Sequence, residues 1–147
     1  MNPDFSDMLS TLSAEGVEYL IVGGYALGAH GFPRATKDID IWIRPTPENA
    51  ERTLRALKRF GAPLHGLTVT DLARKGTILQ IGVPPQRIDL QTMIDGVEFD
   101  EAWSARTMAD VVGVRVPVIG RAALIANKRA SGRPQDLVDL SRLEKQD

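Results

Sequence analysis

Apolar residues recur along this chain with two different periods, and the switches between them mark the elements. Phe5, Met8, Leu9 and Leu12 fall on one side of a helix drawn over residues 4–15, which Gly16 ends. Glu18 to Val22 is a short apolar run, rich enough to predict a central strand. Tyr25 to His30 predicts a short helix stopped by Gly31 and Pro33, and Asp38 to Arg44 a second strand. Thr46 and Pro47 have the chemistry of a helix cap and a first-turn proline; Ala50, Leu54 and Leu57 give that helix its buried stripe, and Gly61 closes it. Val69 to Lys75 predicts another short helix. Thr77 to Val83 and Gln86 to Ile94 read as strands joined across Pro84-Pro85. A helical turn around Trp103 (residues 98–105) and a strand pair, Met108–Val112 and Val114–Val118, follow. Two helices finish the chain: Arg121 to Ala130, then from Pro134 almost to the end, with the break at Gly132. With no internal repeat, low-complexity tract or linker, the order predicts one domain of mixed α/β class, an α+β mixed sheet followed by a C-terminal helix pair.

One predicted strand carries charge where its neighbours carry none. In Asp38-Ile39-Asp40-Ile41-Trp42-Ile43, the alternation of a strand puts Asp38, Asp40 and Trp42 on one face and the three isoleucines on the other. Two like charges on one face repel, and burying either is costly without a cation. The alpha carbons of Asp38 and Asp40 lie roughly 6.5–7 Å apart in an extended strand. Their carboxylates can converge on one ion or bridge two. Asp89, in Arg87-Ile88-Asp89-Leu90, offers a third carboxylate from a later strand. The alternative is structural: each aspartate pairs with Lys37, Arg34 or Arg87, or lies on a solvated edge. Oxygen ligands suit hard cations such as magnesium or manganese, and magnesium commonly binds substrate phosphates too. Three aspartates without histidine or cysteine therefore point toward phosphoryl or nucleotidyl transfer.

Composition narrows the setting. The chain has 147 residues and a formal net charge of −1, so no global basic field announces nucleic acid. Cysteine is absent, which excludes disulfides and thiolate metal sites and fits a reducing cytoplasm; with two histidines, His30 and His65, a histidine-rich zinc site is not expected. No apolar stretch approaches the roughly 20 residues of a membrane helix. The N-terminus lacks the basic start and apolar run of a signal peptide. A soluble cytoplasmic protein with no membrane partner is the expectation.

Two further features carry a double reading. Gly23-Gly24 lies where a strand turns into a helix; glycines there permit close approach of a phosphate to the backbone, or simply make a tight turn. Lys128 stands four residues after Leu124 and three after Ile125, beside the apolar stripe of its helix, and Asp136 is placed similarly before Leu140 and Leu143. With Arg133 between the helices, they could face a triphosphate. Equally, a lysine–aspartate pair could hold a helix hairpin.

Together, Gly23-Gly24, Asp38-Ile39-Asp40 and Asp89 resemble the nucleotidyltransferase superfamily that includes DNA polymerase beta. Within it, Gly23-Gly24-Tyr25-Ala26, the run Arg34-Ala35-Thr36-Lys37-Asp38-Ile39-Asp40 and the closing Lys128, Arg133, Asp136 and Asp139 are similar to the small bacterial branch of AbiEii-type toxins. The resemblance covers about residues 17–145. It implies a nucleotidyltransferase fold with its core at about 17–95 and C-terminal helices at about 121–146. It also implies a metal-dependent enzyme that moves a nucleoside monophosphate from a triphosphate such as ATP to an acceptor hydroxyl, releasing pyrophosphate.

In that reading Asp38, Asp40 and Asp89 are catalytic and bind Mg2+ or Mn2+, with Asp89 activating the attacking group. Gly23 and Gly24 hold the nucleotide phosphates with Arg34 or Thr36 nearby, Lys128 contacts the nucleotide, and Asp136 is an accessory polar residue. The acceptor is left open among tRNA, a partner protein and a small molecule of aminoglycoside type, so a toxin–antitoxin component, a drug-modifying enzyme or a homodimer are all compatible. A catalytically inactive module that binds nucleotide or a partner is the reading from another class. AbiEii-type proteins are usually much longer, and the minimal nucleotidyltransferase antitoxins of this size typically carry Gly-Ser where this chain has Gly-Gly.

Overall fold

The computed structural model describes residues 3–32, 38–83 and 86–145. Helix α1 (Pro3–Ala14) leads into strand β1 (Tyr19–Val22), short helix α2 (Gly23–Ala29) and strand β2 (Ile39–Ile43). Helices α3 (Pro47–Phe60) and α4 (Val69–Leu72) precede strands β3 (Ile78–Ile81) and β4 (Ile88–Gln91). Helix α5 (Phe99–Ser104), the hairpin β5 (Thr107–Val111) and β6 (Val114–Val118), and helices α6 (Arg121–Ser131) and α7 (Pro134–Glu144) complete the chain.

The strands form one mixed sheet in the order β3-β4-β2-β1-β6-β5. β2 is central: it runs antiparallel to β1 and parallel to β4. Its Ile39, Ile41 and Ile43 are fully buried, in one core with Phe5, Met8, Leu9 and Leu12 of α1 and Ala50, Ala56 and Leu57 of α3. The expected caps are present on α3, where the Thr46 hydroxyl accepts from the Asn49 amide and Gly61 ends the helix at φ +88°. Buried Asn49 then ties the helix to the sheet: its side chain accepts from the Glu18 amide at 2.7 Å and donates to the Glu18 and Arg44 carbonyls at 3.0 Å each.

Several boundaries differ from expectation, α4 for example ending at Leu72 rather than Lys75. β2 starts at Ile39, leaving Asp38 just before the strand. β3 and β4 are four residues each, and among the described residues β3 is an edge strand paired with β4 from Ile78 with Gln91 to Ile81 with Ile88. Finally, α2 starts at the glycines themselves rather than at Tyr25. Among the described residues no helix is long and apolar enough to cross a membrane.

Candidate active site

The pairing of the sheet assembles the acidic face. Asp40 lies opposite Val22 of β1 on one side and Asp89 of β4 on the other. Residues paired across neighbouring strands project to the same face, so Asp40 and Asp89 are neighbours, with Asp38 two residues back on the same side. Two residues further along, Trp42 is buried edge-on against Phe99, with ring centres 4.9 Å apart.

Gly23 is required by this arrangement. It adopts φ +70°, and a Cβ there would stand 2.3 Å from Oδ2 of Asp40. The close approach expected of a phosphate is made in this structure by a carboxylate. Gly24 is buried in the first turn of α2.

Burial, then the charges of Asp89 and Asp38, push the Asp40 carboxyl up to about 6, against the opposing pull of Arg87 and Arg133. The Arg87 guanidinium spans the other two aspartates. Its Nε and Nη2 donate to the two oxygens of Asp89 at 2.7 and 3.1 Å, and Nη2 stands 3.6 Å from Asp38. The Arg87 backbone amide also donates to Asp38 Oδ1 at 2.9 Å. Among the described residues no three His, Cys, Asp or Glu side chains converge closely enough to hold a metal ion. Both oxygens of Asp89 are turned to the Arg87 guanidinium. The donor set nevertheless fits a hard divalent cation. It is all carboxylate, Asp40 stands buried beside two like charges, and the bare Gly23 backbone leaves Asp40 room.

A second set of charges comes from the corner between α6 and α7. Lys128 is 4% exposed, and its Nζ donates to Asp139 at 2.9 Å and to Asp136 at 3.3 Å. Asp136 in turn accepts from Nε of Arg133 at 2.8 Å and from the Arg133 backbone amide at 3.2 Å, capping α7. Burial pushes the Asp136 carboxyl up, but the hydrogen bonds from Arg133 and Lys128 outweigh it and hold it below the usual carboxylate range. The helix-hairpin reading of Lys128 is therefore realised, as a buried cluster of one lysine and two aspartates. The Arg133 side chain, 75% exposed, lies on the open side of that cluster.

The two charge sets meet across a cavity of about 310 Å³ whose lining includes Gly23, Asp40, Gln91, Asn127, Lys128 and Arg133. The structure thus brings together Gly23, Asp40, Lys128 and, through Lys128, Asp136. Asp38 and Asp89 adjoin Asp40 on the sheet. Arg34 and Thr36 lie outside the described residues. Two cations named from the sequence take definite places: Arg87 as the partner of both flanking aspartates, and Arg133 as an exposed cation on the cavity lining. The signal for Arg87 was present, because a residue two positions before Asp89 shares its face of the strand. A second cavity of about 300 Å³ adjoins the first through Met93, Ile94 and Asp95. Trp42 and Phe99 line it together with Glu98 and Glu101.

No protein-family model and no curated protein matches the sequence. Similarity appears in three dimensions. The crystal structure of lincosamide antibiotic adenylyltransferase LnuA with lincomycin bound matches 98% of this chain and 96% of its own, with TM-score 0.61 and 12% identity. The antibiotic-resistance factor ANT(2'')-Ia, in solution, matches over 96% of this chain and 80% of its own, at TM-score 0.60 and 17% identity. A nucleotidyltransferase-like protein from Thermotoga maritima matches over 96% and 84%, at TM-score 0.55 and 16% identity. At such identities the likeness is one of architecture: this chain has the nucleotidyltransferase fold, a mixed α/β arrangement built on a six-stranded sheet.

Proposed function

We propose that the chain works as a single nucleotidyltransferase domain, transferring a nucleoside monophosphate from a nucleoside triphosphate to an acceptor hydroxyl. The observation that carries this reading is the pairing of Asp40 with Asp89 on adjacent strands, at a cavity whose far wall carries Arg133. In the transfer, the acceptor oxygen forms a bond to the α-phosphorus and the bond from that phosphorus to the bridging oxygen breaks. Pyrophosphate leaves with the electron pair, and the acceptor hydroxyl loses its proton. In this reading the Asp89 carboxylate, once released by the Arg87 guanidinium, takes that proton. The forked guanidinium of Arg133 suits phosphate oxygens, and Lys128 fixes Arg133 from behind through Asp136. Gly23, with Gly24 after it, keeps side chains away from Asp40. Asp38, Asp40 and Asp89 would hold magnesium or manganese, which when bound supplies positive charge to the phosphates and acidifies the hydroxyl.

A small-molecule acceptor is favoured over RNA or protein by the adjoining cavity. Its lining joins the rings of Trp42 and Phe99 to the carboxylates of Asp95, Glu98 and Glu101, and with one of these, Glu98, already paired to Lys75, the remaining two suit a hydroxylated, cationic compound. The antibiotic adenylyltransferases of like fold point the same way. The AbiEii-type affinity rests on the sequence signature around Gly23, Asp38 and Lys128.

Incubation with each α-labelled triphosphate and magnesium or manganese, with aminoglycosides, lincosamides, total RNA or lysate as acceptor, tests both levels. Label is expected on a small cationic acceptor. Label on RNA or protein would overturn the acceptor class, and triphosphate binding without pyrophosphate release under any condition would reduce the chain to a binding module.

A further inference from the structure

The guanidinium of Arg87 occupies the carboxylates that the proposed reaction needs for its metal. Both oxygens of Asp89 are taken by Nε and Nη2, and the same side chain reaches Asp38. The fork is bidentate and close, the strongest form of a carboxylate–guanidinium pair. It is also built into the strand, since Arg87 and Asp89 are alternate residues of one segment. We infer that Arg87 is a resident counter-ion which a divalent cation must displace from Asp89, so that it sets the metal affinity of the site. This inference rests on the metal-dependent reading above.

The physical basis is competition for the same oxygens. Asp89 cannot give both oxygens to the fork and ligate a cation with those lone pairs, and a guanidinium left beside a divalent ion repels it. Magnesium in particular demands near-ideal octahedral placement of its ligands and tolerates no misdirected carboxylate. A bare cation therefore meets only part of the donor set in the free protein. A cation already bound to a triphosphate arrives with several oxygens of its own and depends less on Asp89. The free protein is accordingly expected to bind the metal–triphosphate complex in preference to the metal alone.

The test measures binding of manganese chloride alone, by the resonance signal of free Mn2+, to the wild-type protein and to Arg87→Met. Methionine keeps the unbranched stem and removes the fork. Arg87→Met is expected to bind Mn2+ at least about tenfold more tightly than wild type, with Arg87→Lys in between. A folded Arg87→Met whose Mn2+ affinity is unchanged or weaker overturns the inference and makes Arg87 an orienting partner of Asp89. A measurement on the wild type needs no variant: the Arg87 Nε–H nuclear resonance should shift and lose protection from exchange as magnesium and a non-hydrolysable triphosphate are added. A resonance unmoved at saturation also overturns it. If neither protein binds Mn2+, with or without triphosphate, the metal reading of the whole site falls and this inference with it. If both bind equally, the metal reading stands and only the role of Arg87 falls.

Discussion

Asp40 is the residue on which the site's electrostatics concentrate. Burial and the neighbouring carboxylates push its carboxyl up to about 6, above the ordinary aspartate value, so the folded state holds the proton more tightly than the unfolded one. Asp40 adds stability at pH below about 4, and this is lost as pH rises through about 6, beyond which the deficit is constant. Its upper limit is ~3 kcal/mol. Asp40→Asn is therefore expected to abolish transfer yet to raise stability at pH 8 in chelator, with little gain at pH 4. Urea unfolding at both pH values checks this; equal effects at the two would remove Asp40 as the source. Gly23 is bound to the same carboxylate by its 2.3 Å conflict with any Cβ. Gly23→Ala should cost about 1–3 kcal/mol, from the left-handed backbone and the displaced carboxylate together. The same change made in an Asp40→Ala background should cost less, because the conflict is gone, and a double-mutant cycle in urea reads the difference.

Among the elements, the α6–α7 corner and the start of α3 are where polar groups are buried and therefore where substitutions bite. Removing the amide of Asn49 by Asn49→Leu leaves the Glu18 amide without its acceptor and takes one of the two hydrogen bonds from each of the Glu18 and Arg44 carbonyls. A loss of about 2–4 kcal/mol follows, measurable as a lowered denaturation midpoint with the slope unchanged. Lys128→Met removes the buried cation shared by Asp136, which keeps Arg133, and Asp139, which keeps Gln135, and should cost about 3–5 kcal/mol. Adding Asp139→Asn should recover part of that loss, and if the double variant is no more stable than the single, the buried ion cluster is not what Lys128 supports. Most element types could be read in the sequence, because apolar spacing and Gly or Pro stops are local properties. The parallel register of β2 with β4 could not, since nothing in either strand says which other strand it will meet or at which residue. Asp89 and Arg87 could both be nominated, one as a third acidic residue and the other as a pairing cation, because alternate residues of a strand share a face; that one guanidinium serves both Asp89 and Asp38 follows only from the pairing of β2 with β4. At Lys128 the helical spacing pointed to Asp136; Asp139, one turn farther on, came into reach only with the crossing of the two helices.

At the level of the whole molecule, the site is a junction between the centre of the sheet and the C-terminal helix pair, and neither contains all of it. Transfer is expected to stop when divalent cations are chelated and to return with magnesium or manganese, as pyrophosphate release would report; full activity in chelator would remove the metal from the mechanism. Placement of Asp40 and Asp89 depends on β1, β2 and β4, all complete by Gln91, whereas Arg133 belongs to a helix pair that begins at Arg121. A chain emerging from the ribosome thus has its acidic strands before it has the corner that faces them. In that interval the arginine two residues before Asp89 is the counter-charge already in place, carried by the very segment that brings the third carboxylate. The acidic segment of β4 thus carries its own counter-charge in the chain well before the helix pair that bears Arg133.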